Sequence, residues 1–264
     1  MSHRNPVTTD DASQIRQGIV IALDVTTIDR LHALVTATSG IPGVTGYKIG
    51  PELALEMGLG ALLELLRDLT DLPLIYDHQK AGLDVPSNAP KFGEILARHG
   101  VNSAIVFPVG GPTIVDAFIS GLTYYGVTPL VGGRLPVADY TVSSGGWIDD
   151  AILENIAAIA IKKGQSSLVV PLGPDVERVV SVAAAAGSQP TLYVPGVRGQ
   201  DDEFRQLASV AASVDGIFPI VGRAVITADD PAQAASTLVT SLAAALGNRP
   251  DEPPVIPSVH GGQR

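Results

Sequence analysis

The chain has 264 residues, 45% hydrophobic and 17% charged, with a formal net charge of −10 at pH 7. That length and composition suit one large globular domain with a sizeable core. The acidic balance argues against binding a phosphate backbone, while leaving room for a local basic pocket for a small anion, and the absence of cysteine excludes a disulfide framework, a thiolate metal site and a cysteine nucleophile.

In chain order, the opening "MSHRNPVTTDDASQ" is polar and has no apolar signal region. No run approaches the ~18 apolar residues of a membrane span. The expectation is a soluble, cytoplasmic protein with neither a membrane nor a nucleic-acid partner. Residues 1–16 read as a flexible tail, 17–247 as one domain, and 248–264, rich in proline and glycine, as a disordered tail.

Between the tails, eight short apolar runs alternate with helical patterns. "GIVIALD" (18–24) precedes "TIDRLHALVTAT", and "VTGYKIG" (44–50) precedes "LGALLELLRDLT". "PLIYD" (73–77) is followed by "NAPKFGEILARHG", and "SAIVFP" (103–108) by "GPTIVDAFISGLTYYG". "TPLVGG" (128–133) leads to "DDAILENIAAIAIKKG", and "SLVVP" (167–171) to "GPDVERVVSVAAAAG". "PTLYVPG" (190–196) leads to "DDEFRQLASVAASV", and "GIFPIVG" (216–222) to "DPAQAASTLVTSLAAALG". The runs are continuous, as in strands buried on both faces of a parallel sheet. Several helical patterns start at Thr, Asn or Asp and stop at Gly. Eight such alternations predict an α/β fold, a single-domain (β/α)8 TIM barrel. An open doubly wound sheet is the second choice, with no GxGxxG after the first run to support it.

Active sites of such barrels lie at the C-terminal strand ends. Asp24, Lys48, Asp77, Gln200 and Arg223 stand at or just beyond such ends, with Lys80 and Asp84 following Asp77. Each has a plain structural reading: a turn aspartate, a rim lysine, one ion pair. Two lysines and three aspartates at one barrel end would be a costly coincidence, because buried charges need partners. A lysine flanked by carboxylates stays protonated and is held in place, which suits a positioned acid. His78 reads as a packing residue. "PGVRGQDD" (195–202) and "IVGRAV" (220–225) offer backbone amides, Gly222 and the Arg223 guanidinium to a phosphate.

Taken together, the "IALD" opening, the lysine of "YKIG", the Asp–Lys–Asp–Val–Pro segment, "PGV…Q" and "VGR" come in an order that resembles the orotidine 5′-phosphate decarboxylase family over roughly residues 18–246. The resemblance implies cofactor-free, metal-independent decarboxylation of orotidine 5′-phosphate to uridine 5′-phosphate. Lys48, Asp77, Lys80 and Asp84 would form the catalytic charged tetrad, with Lys80 the proton donor. Asp24 would bind the ribose, Asn88 would stand where the family has a threonine, and Gln200, Gly222 and Arg223 would hold the phosphate. It further implies a homodimer in which Asp84 reaches the neighbouring subunit's site. Two departures stand out. The tetrad spacing, Asp77-x-x-Lys80-x-x-x-Asp84, is one residue longer in each gap than the common form; "DHQKAG" resembles an archaeal-type variant. Pro136, in "GGRLPVADYT", falls where the family places a Ser or Thr that bonds the pyrimidine, so either Thr141, Ser143 or Ser144 substitutes or a different ring is recognised. Three readings remain beside the decarboxylase. One is a related enzyme on a modified nucleotide. Another is a Mg-dependent hexulose-phosphate synthase or keto-gulonate-phosphate decarboxylase. The last is a non-catalytic nucleotide-binding homologue.

Overall fold

The structure, a computed structural model, describes residues 16–77 and 83–247. The expectations for the two tails, His78 and Lys80 therefore fall outside the described residues, apart from Arg16, which is strand rather than tail. In chain order the elements are β1 (Arg16–Gln17), β2 (Ile19–Ala22), α1 (Ile28–Thr38), β3 (Val44–Ile49), α2 (Pro51–Met57), α3 (Leu59–Leu69) and β4 (Leu74–Asp77). Next come α4 (Ala89–Arg98), β5 (Ser103–Val106), α5 (Pro112–Tyr124), β6 (Thr128–Val131), α6 (Ile152–Lys162), β7 (Ser167–Val169) and α7 (Pro174–Ala185). The last are β8 (Thr191–Pro195), α8 (Asp201–Ser209), β9 (Gly216–Val221), α9 (Arg223–Ile226) and α10 (Pro231–Leu246).

Every strand pairing in the sheet is parallel, each strand from β2 to β9 meets the next, and β9 returns to β2, so the sheet closes on itself. β1 and β2 lie along β9 in one register, Arg16 opposite Gly216 and Val20 opposite Ile220. They are one barrel strand interrupted at Gly18, where a Cβ would stand 2.2 Å from Thr45 Cγ2 and 2.8 Å from the Gly43 carbonyl oxygen. The expected (β/α)8 barrel is thus observed, with α2 and α9 added in its loops.

Side chains alternate across a strand, and the two faces bury two different cores. Outward residues such as Ile19, Ile21, Tyr47, Ile49, Leu74, Tyr76, Ile217 and Val221 pack with the helices. Inward residues Val20, Ala22, Ile75, Ile105, Phe107, Leu130, Val169, Phe218 and Ile220 fill the barrel. The same alternation turns Asp24, Lys48 and Asp77 inward, two residues beyond Ala22, Gly46 and Ile75. The helices start and stop as their caps dictate. Thr27 accepts from the Arg30 amide, Asp230 accepts from the Gln233 amide, and Gly247 ends α10 at φ 72°. Among the described residues no helix is long and apolar enough to cross a membrane.

Candidate active site

The C-terminal barrel mouth opens into a cavity of about 1030 Å³. Its floor is the inward apolar layer, including Ala22, Ile105, Phe107, Val169 and Ile220. The polar groups around it fall into sectors set by strand order. β2 to β4 bring Asp24, Lys48 and Asp77; the loops after β8 and β9 bring Gln200, Gly222 and Arg223; the loop after β6 brings Arg134, beside the apolar Pro136.

In the first sector, Lys48 Nζ donates to Asp24 Oδ1 and to Asp77 Oδ2, both at 3.0 Å. The Lys48 and Asp77 side chains are only 11% exposed, that of Asp24 44%. Burial by itself would lower the lysine's pKa. The facing carboxylates of Asp77 and Asp24 outweigh it, and the ammonium is held above its ordinary value. Asp77 Oδ1 is buried with no hydrogen-bond partner among the described residues, a costly arrangement unless a donor fills it. Gly50 makes this clamp sterically feasible, since a Cβ there would lie 2.9 Å from Asp24 Oδ1.

In the second sector, Arg223 follows Gly222 directly after β9, and its guanidinium has no hydrogen bond or ion pair among the described residues. Arg198 lines the same wall, its guanidinium also unpaired among the described residues. The sequence reading gave the backbone amides of the 195–202 loop to a phosphate. The structure corrects this for three of them: Arg198, Gly199 and Gln200 donate to Glu203 Oε2 at 2.8, 2.9 and 3.0 Å. Glu203 sits in the first turn of α8, 9% exposed, and uses those amides as a capping acid does. The polar groups that remain on this wall are the side chains of Gln200, Arg198 and Arg223 and the backbone at Gly222.

Two predicted residues are elsewhere in this chain. Asp84 is exposed and accepts from the Val85 amide and from Asn88 Nδ2, at 2.7 and 2.8 Å; these bonds lower its pKa, Asn88 first. Asn88 spends its side chain on Asp84 and does not cap α4. Neither lines the cavity. The hydroxyls suggested to replace the family's Ser or Thr are engaged in their own loop. Thr141 and Ser144 bond each other at 3.1 Å, and Ser143 donates to Asp150 at 2.6 Å. None of the three lines the cavity. Sequence reasoning missed Arg134, Arg198, Asp202 and Glu203 on its wall. The last three sit in or next to the quoted glycine-rich loop; Arg134 follows two glycines in a stretch without periodicity. Among the described residues no group of three or more His, Asp or Glu is arranged to hold a metal ion.

The family model described as Orotidine 5'-phosphate decarboxylase / HUMPS family matches residues 17–238. The chain is 30% identical over 227 residues to the orotidine 5'-phosphate decarboxylase of Methanosarcina barkeri, covering 86% of this chain and 95% of that one. It is 25% identical over 252 residues to the protein of the same name from Heliobacterium modesticaldum, covering 89% and 100%. Among solved structures, orotidine 5'-monophosphate decarboxylase from Methanocaldococcus jannaschii complexed with inhibitor BMP shares the fold, with TM-score 0.69 at 20% identity over 86% of this chain and 99% of that one. With its barrel, inward charges and matching family model, the chain belongs to the orotidine 5'-phosphate decarboxylase / HUMPS family.

Proposed function

We propose that the chain decarboxylates orotidine 5′-phosphate to uridine 5′-phosphate, in pyrimidine nucleotide synthesis, without a metal or organic cofactor. The observation that carries the reading is Lys48 clamped between Asp24 and Asp77 at the mouth of a cavity whose adjoining wall, from the loops after β8 and β9, presents Gln200 and Arg223. Membership of the family supports it over most of the chain.

In this reading Arg223, Gln200 and Gly222 hold the phosphate, and that remote binding energy positions the ring. Asp24 is accessible enough to bond the ribose hydroxyls while keeping its contact with Lys48. The Asp77 carboxylate disfavours the substrate carboxylate beside it, a repulsion that ends when CO2 departs. The bond from ring carbon C6 to the carboxylate breaks, CO2 leaves without the bonding pair, and that pair stays on C6. Lys80, three residues past the end of β4, then donates the proton that makes the new C6–H bond, and its positive charge stabilises the developing carbanion. Asp84 closes the tetrad of a second subunit, and the working unit is a homodimer; its position outside the cavity of its own chain supports that arrangement. The same reading places the enzyme in the cytoplasm, in its 17–247 domain.

The test is loss of orotidine 5′-phosphate ultraviolet absorbance with EDTA-treated protein. Metal-independent loss is expected. Lys80→Ala is expected to abolish turnover while still binding uridine 5′-phosphate; near-normal turnover in that variant rejects Lys80 as the acid. Pro136, which falls where the family has a hydroxyl, favours one second reading, a decarboxylase of a modified nucleotide. Absence of orotidine 5′-phosphate turnover with intact nucleotide binding, together with CO2 release from a modified pyrimidine nucleotide, would select it; binding with no release from either substrate would select a non-catalytic homologue.

A further inference from the structure

The nucleotide reading leaves the base without a polar partner. The sector from β5 to β7 is apolar, with Ile105, Phe107 and Val169 facing inward. The hydroxyls of Thr141, Ser143 and Ser144 are taken within their own loop. Pro136 has no N–H and no polar side-chain atom. The polar side chain that this segment does bring to the cavity is Arg134.

Arg134 is held by the inner nitrogen of its guanidinium. Its Nε lies 3.1 Å from Asp175 Oδ2, and the side chains are 27% and 10% exposed. Asp175 also pairs with Arg178, whose Nε stands 2.8 Å from Glu154 Oε1. The alternating charges Arg134, Asp175, Arg178 and Glu154 thus tie the β6 loop to α7 and α6. The two terminal nitrogens of Arg134 make no hydrogen bond among the described residues. Arg134 also feels the Asp150 carboxylate of the neighbouring loop, whose pKa is lowered chiefly by the Ser143 hydroxyl and in small part by Arg134. Yet a planar fork paired at its stem, with no hydrogen bond from either prong, is able to meet a ligand. Four strands round the barrel from β2, it stands across the mouth from Asp24.

We propose that Arg134 reads the oxygen edge of the nucleotide base and that Asp175 positions it. A guanidinium has five N–H donors and no acceptor. Placed at ring position 4, it therefore selects the 4-oxo oxygen of a 2,4-dioxopyrimidine, which accepts, against a 4-amino group, whose N–H bonds would face its own. This rests on the reading of the cavity as a pyrimidine nucleotide site, and it makes Arg134 a specificity-determining residue.

Calorimetric titrations of uridine 5′-phosphate, cytidine 5′-phosphate and ribose 5-phosphate test it, in the unmodified chain and in Arg134→Ala, Arg134→Lys and Asp175→Asn. The unmodified chain should prefer the uridine nucleotide. Arg134→Ala should lose about 10- to 100-fold in uridine nucleotide affinity, the worth of a charge-assisted hydrogen bond. Ribose 5-phosphate should bind that variant as before, and the uridine-to-cytidine preference should collapse. Arg134→Lys should recover little of the preference, because it restores the charge without the fork. Asp175→Asn should raise KM for orotidine 5′-phosphate more than it lowers kcat, with ribose 5-phosphate unaffected. An unchanged preference in Arg134→Ala, or none in the unmodified chain, overturns the proposal; an Asp175→Asn chain with unaltered KM overturns the positioning role. Absence of orotidine 5′-phosphate turnover alongside an Arg134-dependent preference would sink the decarboxylase reading and leave this one standing.

Discussion

At the scale of single residues, Lys48 governs the site. It is the shared counter-charge of two carboxylates, one of them as buried as itself. Lys48→Ala leaves both uncompensated, and breaking a buried pair costs about 3–5 kcal/mol. Urea unfolding should register that loss, and turnover should fall by about a hundredfold or more. Because the folded pKa of Lys48 is raised, its contribution to stability is complete below the lysine's ordinary value and is lost only as pH climbs through the raised one. The pH–rate profile should therefore show no lysine limb from this residue near neutrality. Lys48 and Asp77 were legible in the sequence because a charge at the end of a continuous apolar run is conspicuous, and alternation then decides which way it points. The bond from Lys48 to Asp24 was not, since it joins β3 to the loop after β2 and depends on the register of those two strands. Arg134 escaped notice for a different reason: its neighbour Pro136 showed what the segment lacks, and nothing local shows what replaces it.

Among the elements, the long helices were readable from caps and spacing, whereas α2 and α9, of seven and four residues, are too short to show a period. Glycine pairs show how closely two helices approach. A Cβ on Gly121 of α5 would lie 2.7 Å from the Ala89 carbonyl carbon and 3.0 Å from the Pro90 nitrogen, and one on Gly93 of α4 would lie 2.5 Å from the Gly121 oxygen. The obstacles are backbone atoms, so Gly121→Ala has to separate α4 from α5, at about 1–3 kcal/mol for such overpacking. A lowered thermal midpoint with an unaltered KM would localise the effect to that crossing, since neither helix lines the cavity. The loop after β8 was misread in one respect: its glycines and amides look like an anion cradle, but the acid three residues into α8 takes the amides first.

For the molecule as a whole, the outer core contains a buried phenol. Tyr47 is fully buried, its hydroxyl 2.7 Å from Thr38 Oγ1, and burial pushes its pKa from 10.0 to about 12 against a smaller opposing effect of that bond. The folded state keeps the proton after the unfolded state has lost it. Its stabilisation is therefore intact below pH 10 and drains away as pH rises through about 12, a loss of about 3 kcal/mol in all. Tyr47→Phe should shift alkaline unfolding, followed by circular dichroism, to higher pH. The eight-fold alternation made the barrel legible at this scale, because one domain of this length has few other ways to cover such strands. The closure itself has a last consequence. The described chain's first strand and its final strand are hydrogen-bonded neighbours, and β1 extends that seam to Arg16. Among the described residues the closed ring from β2 to β9 has no unpaired edge to recruit another chain. A circularly permuted version, with the seam joined through a linker and new ends cut into the α5–β6 turn, would keep every ladder and every inward charge, so the order of the genetic message is separable from the chemistry of the cavity.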